Sequence, residues 1–371
     1  MSPYDFATGN TNPEAFPEQA LSEAAQAAIP EIARDLNIYP GKLGHPGLRR
    51  LMAERERDRE GVTIDPEHIA LTNGSMQAVT LIAEALCQPG DTVVMEAFNY
   101  PGTINAYRTL GIDMVGVPVD GHGMRIDELE RVMERLHKEG RAPKFIYTLA
   151  TYQNPTGFTM PRARREELLA IARRYDTIVV EDNCYGDVHF EGDKPPALYA
   201  LDDSPNQIYT CSLSKIFAPG VRLGYLYARP PMLERLLARR HDAGPNTLAS
   251  AIMYHYLDGN LWAHCDRANA ALKKKRDAML EALEAHLGNA CSWSHPVGGL
   301  FIWVRLPEDL DLDALEAAAS EREVYYMRGA NFELDNQSVP YLRLAFGFPS
   351  VENIHEGVRR LGESITAARS S

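Results

Sequence analysis

Ser212-Leu-Ser-Lys215-Ile-Phe-Ala-Pro-Gly220-Val-Arg222-Leu-Gly224-Tyr225 sets one amine beside two hydroxyls and a guanidinium, between apolar, strand-like stretches. Small hydroxyls and an arginine suit a phosphate anion, and lysine is the side chain that forms a Schiff base with an aldehyde. The run therefore points to a ligand carrying both groups. Alone it decides little, because most lysines are solvated surface residues. Its weight comes from the chain around it.

Upstream, short β-rich runs alternate with helical patterns. Asp91 to Glu96, Met114 to Val119, Lys144 to Leu149, Thr177 to Glu181, Ile208 to Ser212 and Leu223 to Tyr227 read as strands. Several are continuously apolar, as in a sheet covered on both faces. Helical patterns run from Ser75 to Cys87, Ile126 to Leu136 and Arg162 to Tyr175. The alternation predicts a large α/β domain with a mainly parallel sheet at residues 41–245. After Leu261 the pattern changes to a long helix (Trp262 to Leu287), an apolar run through Leu306, a helix from Asp313 to Arg322, strands at Val324 to Met327 and Tyr341 to Ala345, and a closing helix from Val351. Residues 246–371 are expected to form a linking helix and a smaller α+β domain. Residues 1–40, with Pro13, Pro17, Pro30 and Pro40, read as an arm joined to it.

The length, 371 residues, suits two domains. A net charge of −13 disfavours nonspecific nucleic-acid binding. The basic run Lys273-Lys-Lys-Arg276 falls in a helical pattern and is expected on a solvated face. Cys87, Cys184, Cys211, Cys265 and Cys291 are scattered and form no Cys-x-x-Cys pair, so no disulfide framework or metal site is expected, and the cytoplasm is the natural compartment. No apolar run is long enough for a membrane span, and the N-terminus lacks a signal-peptide pattern. The partners expected are therefore small molecules, with neither nucleic acid nor membrane among them.

Other segments complete the chemistry. Thr72-Asn-Gly-Ser75-Met76 opens a helix, where free N–H groups meet an anion or simply cap the helix. Tyr100 follows a strand and either stacks on a planar ligand or packs in a turn. Asn154-Pro-Thr-Gly157 is turn chemistry at the same sheet edge, with Asn154 able to donate to a ligand oxygen. Asp182 and Tyr185 end the next strand, where Asp182 either faces a ring nitrogen or is an ordinary turn or N-cap residue, and Tyr185 is within reach of a ring hydroxyl. Arg343 lies inside an apolar strand, where it needs a partner: a substrate carboxylate or a structural acid. The ligand with phosphate, aldehyde and aromatic ring is pyridoxal phosphate.

In order and spacing, Asn154-Pro-Thr-Gly157, Asp182-x-x-Tyr185, Ser212-x-Ser-Lys215, Arg222 and Arg343 resemble the fold-type I pyridoxal-phosphate aminotransferases, class I/II, most nearly the subgroup of 2-aminoadipate and kynurenine aminotransferases. The resemblance runs from Ala7-Thr-Gly9 through Tyr39-Pro-Gly to the C-terminal helix, and implies a mainly parallel, seven-stranded-type sheet. It implies that Lys215 carries the internal aldimine, Asp182 pairs with the ring nitrogen, Tyr185 and Asn154 bond the ring oxygen, and Tyr100 stacks on the ring. Ser75, Met76, Ser212, Ser214 and Arg222 would hold the phosphate, and Tyr39 would reach the phosphate of a second subunit in a homodimer. Arg343 would take the substrate α-carboxylate, with Gly9 closing over it. The activity implied is transfer of an amino group between an L-amino acid and a 2-oxo acid; a β- or γ-eliminating lyase, a cyclase or a racemase would share every cofactor contact. A regulator with an aminotransferase-like domain is a further reading, disfavoured by the charge and by how little chain precedes the arm. The chain departs from its relatives at Gly244-Pro-Asn-Thr247, in the short segment before Gly9, and at Arg328, which stands where they have proline and is expected to meet an acidic or polar substrate side chain or a surface carboxylate.

Overall fold

The computed structural model describes residues 3–369; residues 1–2 of the expected arm and 370–371 of the expected C-terminal domain lie outside them. The strands in the first two thirds of the chain are β1 (Ile69–Thr72), β2 (Thr92–Glu96), β3 (Asp113–Val117), the short β4 (Val119–Asp120) and β5 (Gly123–Met124), then β6 (Phe145–Thr148), β7 (Ile178–Asp182), β8 (Gln207–Ser212) and β9 (Gly224–Ala228). β4 and β5 pair with each other. The rest form one seven-stranded sheet in the order β1-β9-β8-β7-β6-β2-β3. It is parallel except for β9, which runs against both its neighbours. The chain is thus a mixed α/β protein with a large, mainly parallel sheet.

Alternation along each strand explains why both faces are covered. Val93 and Met95 enter one buried cluster and Val94 the other; Phe145 and Tyr147 oppose Ile146 in the same way. After α1 (Glu18–Ile32), helices α2 (Pro46–Glu60), α3 (Ser75–Leu86), α4 (Pro101–Thr109), α5 (Ile126–Lys138), α6 (Arg162–Arg174), α7 (Leu198–Leu201) and α8 (Met232–Leu237) surround this sheet. α5 buries Leu129, Met133 and Leu136, one stripe at helical spacing. Each such side chain contributes about 1.5–3 kcal/mol relative to exposure. Next come α9 (Thr247–Leu257), α10 (Leu261–His286), β10 (Ser292–Trp293), β11 (Phe301–Arg305), α11 (Leu312–Glu321), β12 (Met327–Arg328), β13 (Tyr341–Ala345) and α12 (Val351–Arg369). Their strands make a four-stranded antiparallel sheet in the order β10-β11-β13-β12.

Two expectations need correction. The strand expected at Val324 to Met327 pairs with β13 only from Met327 onward. Tyr325 is taken by the N-terminal segment instead: its carbonyl accepts from Phe6 N at 2.8 Å. The first 40 residues contain the 15-residue α1, whose Ala28 and Ile32 are buried with Ala251 of α9. Pro30 falls in its last turn and removes only one backbone donor. The basic run is not wholly solvated. Lys275 and Arg276 are buried on α10, because α10 runs beneath the N-terminal segment and the loop before β11. Lys275 Nζ donates to Asn12 Oδ1 at 2.8 Å and to Gly347 O at 3.3 Å; Arg276 donates to Pro296 O at 2.6 Å.

A buried ionic network ties α2 to the loop after β7. Arg55 Nε reaches Asp187 Oδ2 at 2.9 Å, and Arg59 Nη1 reaches Asp187 Oδ1 at 3.0 Å. Glu56 completes it, accepting from Arg59 at 2.8 Å, Tyr199 at 2.6 Å, and also Tyr225. Burial opposes the charge on Asp187, but the two arginines outweigh it and hold its pKa at about 2. The carboxylate's contribution to stability is therefore complete above the ordinary value of 3.8 and fades as pH falls toward about 2. Asp187→Asn should cost about 3–5 kcal/mol at neutral pH, because it leaves two buried guanidinium groups short of a counter-charge. Urea unfolding of the two proteins checks this, and the gap should narrow between about pH 4 and pH 2.

Candidate active site

The carboxyl ends of β6, β7 and β8 and the turn after β1 open onto one cavity of about 550 Å³. This is where a mainly parallel sheet places ligands. At one end, Gly74 (φ 80°) turns the chain into α3 at Ser75, presenting the first N–H groups of the helix. A Cβ on Gly74 would lie 2.4 Å from Arg222 Nη2, so glycine lets the guanidinium approach. Arg222 is itself left-handed (φ 51°) and donates to Asn73 O at 3.1 Å. Ser212 and Ser214 complete this end, with Ser214 N donating to Ser212 Oγ at 3.1 Å. The set offers hydroxyls, backbone N–H groups and a guanidinium to an anion.

At the centre, Lys215 Nζ donates to Gly9 O at 2.9 Å. A Cβ on Gly9 would meet the Phe301 ring at 3.0 Å, so only glycine brings this backbone so close. Burial lowers the Lys215 pKa, and the charges of Arg343 and Arg222 add to that. Asp182 is buried under the cavity; Tyr147 donates to its Oδ2 at 2.7 Å and the Cys184 thiol to its Oδ1 at 2.8 Å. Burial raises the Asp182 pKa against these donors, so a cationic partner is what would keep it ionised.

At the other end, β13 delivers Arg343. Its Nη1 donates to Asn154 Oδ1 at 2.9 Å and its Nη2 to Ala7 O at 2.5 Å. Its guanidinium carbon lies 4.1 Å from the Phe301 ring centre and 4.8 Å from that of Phe332. Burial lowers its pKa to about 10. Its Nε is buried without a partner. Asn154 also reaches the Tyr185 hydroxyl at 3.5 Å, and Tyr100 lines the wall beside Pro101 and Gly102.

The structure thus brings Gly9, Ser75, Met76, Tyr100, Asn154, Asp182, Tyr185, Ser212, Ser214, Lys215, Arg222 and Arg343 around one cavity. Two expected residues are elsewhere. Tyr39 is 85 % exposed, away from its own chain's cavity. Arg328 turns outward and donates to Asp313 Oδ1 at 2.6 Å and Glu316 Oε2 at 3.0 Å, because alternation along β12 points its neighbour Met327 inward instead. Sequence reasoning passed over Thr8, Leu149, Cys184, Phe301 and Met327, which also line the cavity, and Tyr147 beneath it. Cys184 lay inside the quoted Asp182 run and Phe301 in the apolar run before Leu306; nothing local marks either side chain as facing a ligand.

These residues fit pyridoxal phosphate. One end is an anion-binding set, the middle holds an amine whose hydrogen bond goes to a neutral carbonyl, and a buried carboxylate awaits a cation. The Arg343 guanidinium keeps an unused donor.

The model of aminotransferase class I and II matches residues 5–361. The aromatic-amino-acid aminotransferase 1 of Thermococcus litoralis is 36 % identical over 97 % of this chain and 87 % of its own length. The crystal structure of the Pyrococcus horikoshii kynurenine aminotransferase, in complex with PMP, superposes with a TM-score of 0.93 at 33 % identity, covering 98 % of this chain and 90 % of that one. The Thermus thermophilus α-aminoadipate aminotransferase, complexed with N-(5′-phosphopyridoxyl)-L-leucine, gives 0.92 at 31 % identity, covering 99 % and 93 %. With the geometry of the cavity, these likenesses make the chain a member of the class I and II aminotransferases, a fold-type I enzyme that uses pyridoxal phosphate to transfer amino groups.

Proposed function

We propose that this aminotransferase moves the amino group of an amino acid with an uncharged, apolar or aromatic side chain to a 2-oxo acid, with Lys215 as its reacting amine. The observation that carries the reading is a pair of cations in one cavity, the half-buried Lys215 and the buried Arg343, hydrogen-bonded to backbone carbonyls and an amide rather than to carboxylates. When bound, pyridoxal phosphate supplies an electron-accepting ring that weakens the Cα–H bond of an attached amino acid. Ser75, the Met76 backbone, Ser212, Ser214 and Arg222 would hold its phosphate. Asp182, steadied by Tyr147, would pair with the ring nitrogen and favour its protonated form. Asn154, Tyr185 and Tyr100 would hold the rest of the ring. Arg343 exchanges its neutral acceptors for the substrate α-carboxylate, held bidentately under Gly9. The lowered pKa of Lys215 leaves more of its amine uncharged at neutral pH, which lets it act as the base that moves the Cα proton.

The side-chain preference follows from what is left of the wall. The cavity's cations are Lys215, Arg222 and Arg343, all engaged by the cofactor or the α-carboxylate, and Thr8, Leu149, Phe301 and Met327 carry no charge. The relatives named for aromatic amino acids and for kynurenine favour this choice, while the one named for α-aminoadipate favours an acidic donor.

We further propose a homodimer, with residues 1–40, 41–245 and 246–371 as arm, large domain and small domain. Ile29, Leu36, Ile38, Tyr39 and Leu248 leave an exposed apolar surface on one side. Tyr39 would reach from it to the phosphate held by the second subunit. The free cysteines suit a reducing cytoplasm.

Borohydride reduction of the holoenzyme followed by peptide mapping should recover the cofactor on Lys215, and Lys215→Ala should fold but lose that label. Label on another lysine would overturn the assignment. Arg328→Met should leave the ratio of kcat/KM for an aromatic over an acidic amino donor unchanged within about twofold, whereas an outward-facing ion pair is worth only about 0–1 kcal/mol to stability. Tyr39→Phe protein mixed with Lys215→Ala protein under subunit exchange should be more active than either alone, because one hybrid site keeps both groups. Activity no greater than the sum of the parents would count against a shared site.

A further inference from the structure

The cavity holds a thiol that the chemistry above does not use. Cys184 sits between two groups assigned to opposite ends of the cofactor: its Sγ is 2.8 Å from Asp182 Oδ1 and 3.1 Å from Ser75 Oγ. A thiol has one proton, so it cannot donate to both. The ionised carboxylate is the stronger acceptor, and the Ser75 hydroxyl then turns its own proton toward sulfur or toward a phosphate oxygen. The result is a short chain, Ser75 to Cys184 to Asp182, that links the phosphate end to the ring-nitrogen end.

We propose that Cys184 is a positioning residue for the cofactor, holding Asp182 in register with the ring nitrogen and coupling it to Ser75. Each oxygen of Asp182 then has a donor of its own, Tyr147 from β6 on one and Cys184 on the other. The remaining groups around the carboxylate do not replace the thiol. Thr210 on β8 and the Cys184 backbone N–H also lower its pKa, but less than the thiol does, and Glu96 on β2 adds only a like charge. The thiol stays protonated in this role, because burial and the charge of Asp182 both push its pKa up. Cys184 therefore serves as a hydrogen-bond donor rather than as a nucleophile. Without it, Asp182 loses the donor that most opposes its protonation, binds a proton more tightly, and leaves the ring less positively charged.

This inference rests on the assignment of Asp182 and Ser75 as cofactor contacts. It is tested with Cys184→Ala and Cys184→Ser, both compared with the wild type as apoenzyme titrated with pyridoxal phosphate and as holoenzyme followed by visible absorbance across pH. Loss of one hydrogen bond should raise the cofactor Kd of Cys184→Ala roughly 3–10-fold. It should also move the pH midpoint of the bound cofactor's absorbance change up by roughly 0.5–1 unit. Cys184→Ser, which keeps a donor, should return both toward wild type. A thermal melt of each apoenzyme shows whether the variants are folded alike. Unchanged Kd and midpoint in Cys184→Ala would overturn the proposal, as would a serine variant as impaired as the alanine one, since sulfur's bulk would then be the cause. A wild-type apoenzyme that takes up no pyridoxal phosphate would overturn the cofactor assignment itself, a different result from either.

Discussion

A guanidinium buried without a carboxylate is costly, and the site is organised around one. Arg343 is 4 % exposed, lies against the faces of Phe301 and Phe332, and is hydrogen-bonded to one amide and one carbonyl. Aromatic faces and neutral acceptors offset part of the desolvation, but only an anion removes the rest. Three distant parts of the chain must meet for this to hold. β13 delivers the arginine, the turn after β6 delivers Asn154, and the N-terminal segment delivers Ala7. An anion entering the cavity would meet a cation already oriented and short of a counter-charge.

The supports behind the site are charged as well. The loop that carries Cys184 and Tyr185 is anchored two residues later, where Asp187 meets Arg55 and Arg59 of α2. The N-terminal segment that carries Gly9 is anchored by Lys275 of α10 through Asn12. Buried polar networks of this kind, when satisfied, hold one geometry in preference to others. Residues beyond the cavity thus set the positions of the groups inside it, so losing one would be felt as a misplaced ligand contact as well as lost stability.

Much of the cavity was legible along the chain because its donors sit at the ends of strands. Lys215, Asp182 and Asn154 each follow an apolar run that can only be a buried strand, and a parallel sheet brings such ends to one edge. Ser75 was legible for the same reason at a helix start. Arg328 was left between a substrate side chain and a surface carboxylate because the side of a two-residue strand depends on its register with β13, which no local pattern reveals. α1 and the buried Lys275 escaped notice because proline content and a run of charges are local cues, overridden here by what packs on them.

The sequence by itself determined the alternation of strands and helices and the order along the chain of the side chains that line the cavity, Lys215 among them. Those follow from local periodicity and from the chemistry of single side chains. Only the tertiary structure decided which donors share Asp182, that Met327 rather than Arg328 faces the cavity, and that Gly9 and Ala7 supply the carbonyls to Lys215 and Arg343. Each of these is a contact between residues far apart in the chain, set by strand register and by how closely a glycine lets two backbones approach, and neither is encoded within a window of neighbouring residues.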